Sequence, residues 1–180
     1  DFTNPTSFFL FAGAGSGKTG TLVRILQKYS KEHSKTLRLN RQKIAIITYT
    51  NAACDEIRRR LEFNATFEVS TIHSFAWSLI KPFQNDIREH LRGNLNLEIQ
   101  ELEEQQRKGR AGSKAAIDRP IQILNKKKRL DYLNQIRVFT YNPNGSNSER
   151  ESLNHAEVIL FAANFLSERS LMQQILVQQY

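Results

Sequence analysis

Two short apolar runs and one alternating stretch punctuate the first eighty residues, each followed by a helical pattern. Ser7 to Ala12 holds Phe8, Phe9, Leu10 and Phe11 in succession and predicts a buried strand. The pattern from Gly17 to about Ser30 places Leu22, Val23, Ile25, Leu26 and Tyr29 at helical spacing. That helix should end in the solvated run Lys31 to Lys35, which makes His33 a surface residue. Lys43 to Tyr49 is a second strand, apolar without alternation, as expected of a parallel strand covered on both faces. Two strands joined by one helix form a right-handed βαβ unit. Thr50-Asn51 then caps a helix from Ala52 to Leu61. Phe67 to Thr71 reads as a short third strand. It feeds a helix from Ile72 to Ile80 that Pro82 ends, with Ile72, Phe75, Ala76 and Leu79 facing the core.

The pattern changes after Phe83. Residues 84–137 are rich in Gln, Glu, Lys and Arg, and Gly109 and Gly112 interrupt them. Two or three amphipathic helices fit, one over Glu98 to Lys108 and another over Ala115 to Ile136, broken near Pro120. Val138 to Tyr141 is strand-like, and Asn142 to Ser148 is a loop by composition. Asn154 and Glu157 have the spacing of a capping box before a helix to about Leu166. A last helix runs from Leu171 to Val177. The fold class is therefore α/β with a mainly parallel sheet, interrupted by a helical segment.

Charge adds a partner class. The 180 residues carry a formal net charge of +8, which suits a polyanion. Residues 1–80 hold 11 Lys/Arg against 6 Asp/Glu and residues 81–150 hold 14 against 9, so the excess avoids the tail. Lys126-Lys127-Lys128-Arg129 is the densest run, and it reads equally as a solvated helix face or as contact to a nucleic-acid backbone. Arg58 to Arg60 complement the carboxyl end of their helix. The single Cys54 excludes an internal disulfide and suits a reducing compartment. No run is long and apolar enough to span a bilayer, so no membrane partner is expected and the location reads as cytoplasmic.

The candidate chemistry begins at Ala12-Gly13-Ala14-Gly15-Ser16-Gly17-Lys18-Thr19, between the first strand and the first helix. Glycines let consecutive backbone N–H groups curl round an anion, and the helix start points its positive end at the same place. In this phosphate loop Lys18 reaches the β- and γ-phosphates of ATP. The Thr19 hydroxyl sits on a bridging Mg²⁺. A phosphate loop alone also suits a small kinase, a nucleotide-dependent switch or a vestigial interaction module. Thr50 and Asn51 on their own read as helix caps, and His73 as a satisfied polar residue.

Three stretches together resemble one family: the phosphate loop, Ile47-Thr48-Tyr49-Thr50-Asn51-Ala52-Ala53, and Ser70-Thr71-Ile72-His73-Ser74-Phe75. In order and spacing they are similar to motif I, motif Ia and the Thr-x-His-Ser segment of UvrD/Rep-like superfamily one DNA helicases. The resemblance implies a P-loop NTPase, RecA-like sheet flanked by helices. It implies motor domain 1A over residues 1–83 and 150–180, and a small helical subdomain 1B inserted over 84–149. It implies ATP held by Ala12 to Gly20, with Lys18 and Thr19 catalytic and Thr19 on the metal. It also implies single-stranded or partly duplex DNA on Tyr49, Thr50, Asn51, Thr71, His73, Ser74 and Phe75. Gly20 stands where many relatives place an arginine that packs on adenine. The Walker B acids and the second motor domain are not among these residues. The sequence is therefore expected to be an N-terminal fragment that hydrolyses ATP negligibly by itself.

Overall fold

Two five-residue strands pair to make the sheet on which the first part of the chain is built. The computed structural model describes residues 7, 9, 11, 13, 17–110, 112–143 and 151–180. Strand β1 (Ile44–Thr48) lies parallel to β2 (Phe67–Thr71), in a register that sets Ile44 against Phe67 and Thr48 against Thr71. Parallel neighbours need a crossover, and helix α2 (Asn51–Arg60) provides it. Helix α1 (Lys18–Leu39) packs beside α2. Val23, Ile46, Cys54, Ile57, Leu61 and Val69 form one buried cluster between the helices and the sheet. Cys54 is there a small core residue, its sulfur 2.8 Å from Thr48 Oγ1.

The chain divides into two compact units, Asp1–Phe75 with Arg169–Tyr180, and Ala76–Glu168. In the first, helix α7 (Ser170–Gln179) returns to the sheet. The Lys43 N–H donates to the Gln179 carbonyl at 2.8 Å. The Tyr180 phenol feels the nearby Glu68 carboxylate, which itself meets Lys43 Nζ at 3.1 Å. Burial, then that carboxylate, pushes the Tyr180 phenol well above its ordinary range.

Helix α3 (Ile72–Ile80) leads into the second unit. There α4 (Gln84–Lys108) and α5 (Lys114–Tyr132) form a hairpin, followed by a 3₁₀ turn, Leu133–Gln135. Ile87, Leu91, Leu95 and Ile99 recur every fourth residue and make the buried stripe of α4. Strand β3 (Thr140–Tyr141) pairs in parallel with β4 (Ser152–Leu153), and α6 (His155–Glu168) follows. The capping box forms in full. Asn154 Oδ1 accepts the Glu157 N–H and Glu157 Oε2 accepts the Asn154 N–H, both at 3.0 Å. The same carboxylate takes the Arg129 guanidinium in a fork, at 2.6 and 3.3 Å. One partly buried ion pair thus ties α5 to the start of α6, and Arg129 Nη2 also reaches the Ser152 carbonyl of β4 at 3.4 Å.

The second and third strands, the Thr50 cap and the Ile72–Ile80 helix stand where the pattern predicts them. Other expectations are corrected. Ser7, Phe9 and Phe11 belong to no strand, and Phe9 and Phe11 are 85% and 89% exposed; the rest of that expected strand falls outside the described residues. The βαβ crossover seen is β1–α2–β2. Helix α1 runs on past Ser30 to Leu39, because Val23, Ser30 and Leu37, seven residues apart, continue one buried face. His33 is half-buried, its ring 4.5 Å from that of Tyr29. Ile47 is 46% exposed, so β1 is not covered equally on both faces, and Ile72 at the first turn of α3 is 42% exposed. The helix over Glu98–Lys108 is the end of one that starts at Gln84. Pro120 does not break α5. A proline cannot donate to the carbonyl four residues back, and here that carbonyl, of Ala116, accepts Gln106 Nε2 from α4 at 3.1 Å. The Asn142–Ser148 loop is described only as far as residue 143.

Two outcomes follow from the second unit. Arg129→Met strands the Glu157 carboxylate and should lower stability by about 3 kcal/mol, while adding Glu157→Gln recovers part of the loss. Urea unfolding of the two variants checks this, and a loss below about 1 kcal/mol for the single variant would contradict it. His90 lies against Phe161 with Nε2 2.9 Å from Asn94 Nδ2. Burial depresses its pKa below 6.5, with Glu168 and Glu157 opposing more weakly. The unfolded chain therefore takes up this proton more readily than the folded one. Stability is full above pH 6.5 and falls as pH drops below it. Urea midpoints at pH 7.5 and 5.5 should separate less in His90→Gln than in the parent, and equal separations would contradict the assignment.

Candidate functional site

The first helix begins on a residue whose backbone only glycine adopts without strain. Gly17 has φ 77° and ψ 22°, in the left-handed region. It caps α1 with no side-chain hydrogen bond, and the first turn contains no acid. The positive end of a 22-residue helix is therefore left without a protein carboxylate of its own. Lys18 Nζ donates to the Gly13 carbonyl at 2.5 Å. Gly13, Gly17 and Lys18 are exposed, and Thr19 and Gly20 half-buried. A glycine-started helix with no acid in its first turn, beside an exposed ammonium, fits a polyphosphate. Ala12, Ala14, Gly15 and Ser16 fall outside the described residues. Beside Gly20 lies the Arg60 guanidinium, 3.6 Å from where a Cβ would stand, held by Glu56 at 2.6 Å.

The other predicted residues gather where β1 and β2 finish. The pair Thr48–Thr71 closes the parallel ladder, so both strands release their chains at the same edge. Tyr49, Thr50 and Asn51 leave β1, and His73, Ser74 and Phe75 follow Thr71 at the end of β2. Thr50 Oγ1 accepts the Ala53 N–H at 3.2 Å and caps α2. Thr71 Oγ1 accepts the Ser74 N–H at 3.2 Å and donates to Ser74 Oγ at 3.0 Å. Two helix starts thus stand side by side, each held by a threonine. Tyr49 is 83% exposed. Asn51 and Ser74 are exposed and His73 half-buried. Phe75 packs edge-on against Tyr180, centroids 5.4 Å apart.

The start of α1 faces the same edge. Along α1, Gly20 meets the Arg60 side chain, which lies back toward Glu56. Gln27 Nε2 donates to the Arg60 carbonyl at 3.1 Å, and Asn64 Nδ2 reaches Ser30 Oγ at 3.4 Å. Passing from 20 to 30 on α1 thus passes from 56 to 64 beyond α2, so the helices run in the same sense. Their amino ends lie toward the carboxyl ends of β1 and β2, the edge where open parallel sheets take ligands.

Both basic runs are largely spent on the protein itself. Lys126 and Lys127 meet Glu98 and Glu103 at 2.6 and 2.7 Å, and Arg129 meets Glu157. Arg58 pairs with Asp55 and Arg60 with Glu56, while Arg59 Nε donates to the Asp55 carbonyl. These cations brace helices, which favours the solvated-face reading over backbone contact. Among the described residues no cluster of His, Cys, Asp and Glu could hold a metal, and no helix is long and apolar enough to cross a membrane.

Comparison with known proteins places the chain in a family. Over 103 residues the chain is 38% identical to the Gabija protein GajB of Bacillus cereus (strain HuB5-5), covering 57% of this chain and 15% of that protein. It is 32% identical over 102 residues to an ATP-dependent helicase/nuclease subunit of Oceanobacillus iheyensis, and 34% to the corresponding subunit of Clostridium kluyveri. Each of these alignments covers 44% of this chain and 8% of the relative. The chain thus spans a small part of the length of these relatives. No solved structure matches it significantly. A family model described as UvrD/REP helicase N-terminal domain matches residues 3–176, and the chain belongs to that family.

Proposed function

We propose that this chain binds ATP with Mg²⁺ at the start of α1 and single-stranded DNA along the edge where β1 and β2 end. In that reading it is the N-terminal motor part of an ATP-dependent helicase, a RecA-like P-loop NTPase working with a second motor domain in the cytoplasm. The observation that carries the proposal is the shared edge: α1, α2 and α3 all begin at the carboxyl side of one parallel pair. Relatives named as ATP-dependent helicase/nuclease subunits support it, as does the family match. The assignment of residues 1–83 and 150–180 to the motor domain, and of 84–149 to its helical insert, belongs to the same proposal.

Each side chain has a physical role in it. The loop Ala12–Thr19 supplies backbone N–H donors for the phosphates, and Gly17 turns the chain so that α1 points at them. Lys18 leaves the Gly13 carbonyl and takes the β- and γ-phosphates. Thr19 holds the metal, which when bound neutralises charge on the phosphates. Gly20 closes the phosphate loop at the first turn of α1. Tyr49 presents a ring on which a base stacks, and Asn51, His73 and Ser74 present donors and acceptors to the strand. Thr50 and Thr71 position these residues by capping, and Phe75 anchors its helix against Tyr180. None of these contacts reads a base edge, which suits translocation without sequence preference.

Lys18→Ala should weaken binding of a non-hydrolysable ATP analogue with Mg²⁺ at least tenfold by isothermal titration. Unchanged affinity would remove the phosphate site. In fluorescence anisotropy an oligothymidylate should bind the parent more weakly as salt rises. The Tyr49→Ala, His73→Ala double variant should lose about tenfold in affinity, within the range that loss of base stacking produces. Binding that ignores both salt and the double substitution would remove the strand site.

A further inference from the structure

Three aromatic rings in the second unit take no part in the site described above. Trp77 on α3 lies 6.1 Å from Tyr141 on β3, centroid to centroid, with planes inclined at 36°. Tyr141 lies 5.6 Å from the imidazole of His155 at the first turn of α6, inclined at 58°. The Tyr141 hydroxyl and His155 Nδ1 are 2.6 Å apart. Tilted rings at these distances leave parts of their faces uncovered. His155 is exposed, and Trp77 and Tyr141 are half-buried. The hydrogen bond holds two of the three rings in place, so little ordering remains for a ligand to impose.

A lysine lies one helical turn from Trp77. The Lys81 N–H donates to the Trp77 carbonyl at 2.8 Å, which places Lys81 one turn beyond Trp77 on the same side of α3. Lys81 is exposed. Partly accessible rings, with a lysine one helical turn from the first of them, match the chemistry of single-strand binding, in which bases stack and the backbone meets positive charge. A brace joining α3, β3 and α6 would need neither the exposed imidazole nor the lysine.

We propose that Trp77, Tyr141 and His155 form a second stacking platform for the bases of a single strand, with Lys81 meeting its phosphate. The proposal rests on the reading above for its class of ligand but uses different residues. Trp77 is the only tryptophan of the chain, so its emission reports this place alone.

Oligothymidylate should quench the Trp77 emission of residues 1–180 by about half at saturation, and raised salt should reverse the quenching. The Tyr49→Ala, His73→Ala double variant should bind more weakly yet reach the same quenching when saturated. Trp77→Phe and His155→Ala should each lower oligonucleotide affinity about threefold or more by anisotropy, with unchanged circular dichroism. Oligonucleotide binding that leaves the emission unchanged would overturn the platform and spare the sheet-edge site. Quenching that survives while the double variant loses no affinity would do the reverse. Absence of binding by the parent would overturn both, and equal quenching by free ATP would show a mononucleotide pocket instead of a strand platform.

Discussion

The parallel pairing of β1 with β2 is the constraint on which the rest depends. Parallel strands cannot be joined by a hairpin, so α2 must carry the chain back across the sheet. That return sets the starts of α2 and α3 at the same edge. The register from Ile44–Phe67 to Thr48–Thr71 then fixes which residues leave the sheet there. One slip of a residue would turn Ile46 and Val69 out of the buried cluster and bring exposed neighbours in. The core therefore holds the register, and the register holds Tyr49, Asn51, His73 and Ser74 together.

Two threonines make that edge usable. Thr50 and Thr71 satisfy the first N–H groups of α2 and the start of α3, which frees the residues beside them to face outward. The observed helix caps and the proposed strand site on the same threonines are compatible. A cap is what holds a rim residue still enough to bind. The same economy governs the second unit, where Glu157 completes the Asn154 capping box and receives Arg129. A positive run that could have served a nucleic acid instead fastens α5 to α6 and α4.

The sequence was most legible where pattern and local chemistry coincide. The β2 strand, the Thr50 cap, the Asn154–Glu157 box and the Ile72–Ile80 helix all rest on residues within a few positions of one another. Legibility failed where distant residues decide. Pro120 breaks a helix only if the Ala116 carbonyl is abandoned, and Gln106 on another helix supplies its partner. Helix α1 looks finished at its polar run, but Leu37 carries the buried face two turns further. Ile47 and Ile72 are apolar by type and exposed by position, because periodicity reports the face and not what lies against it. The Trp77, Tyr141 and His155 cluster left no local signal, since three elements far apart in the chain contribute one ring each. Its single hint was a lone tryptophan beside the Thr-x-His-Ser segment.

The proposed motor depends on a nucleotide and a strand approaching one edge of one sheet. Amide hydrogen exchange, followed by peptide with each ligand in turn, measures this directly. An ATP analogue with Mg²⁺ should slow exchange over residues 17–21, and an oligonucleotide should slow it over 49–54 and 71–76. Slowing by the oligonucleotide confined to residues 84–132, with the two strand exits unchanged, would contradict it.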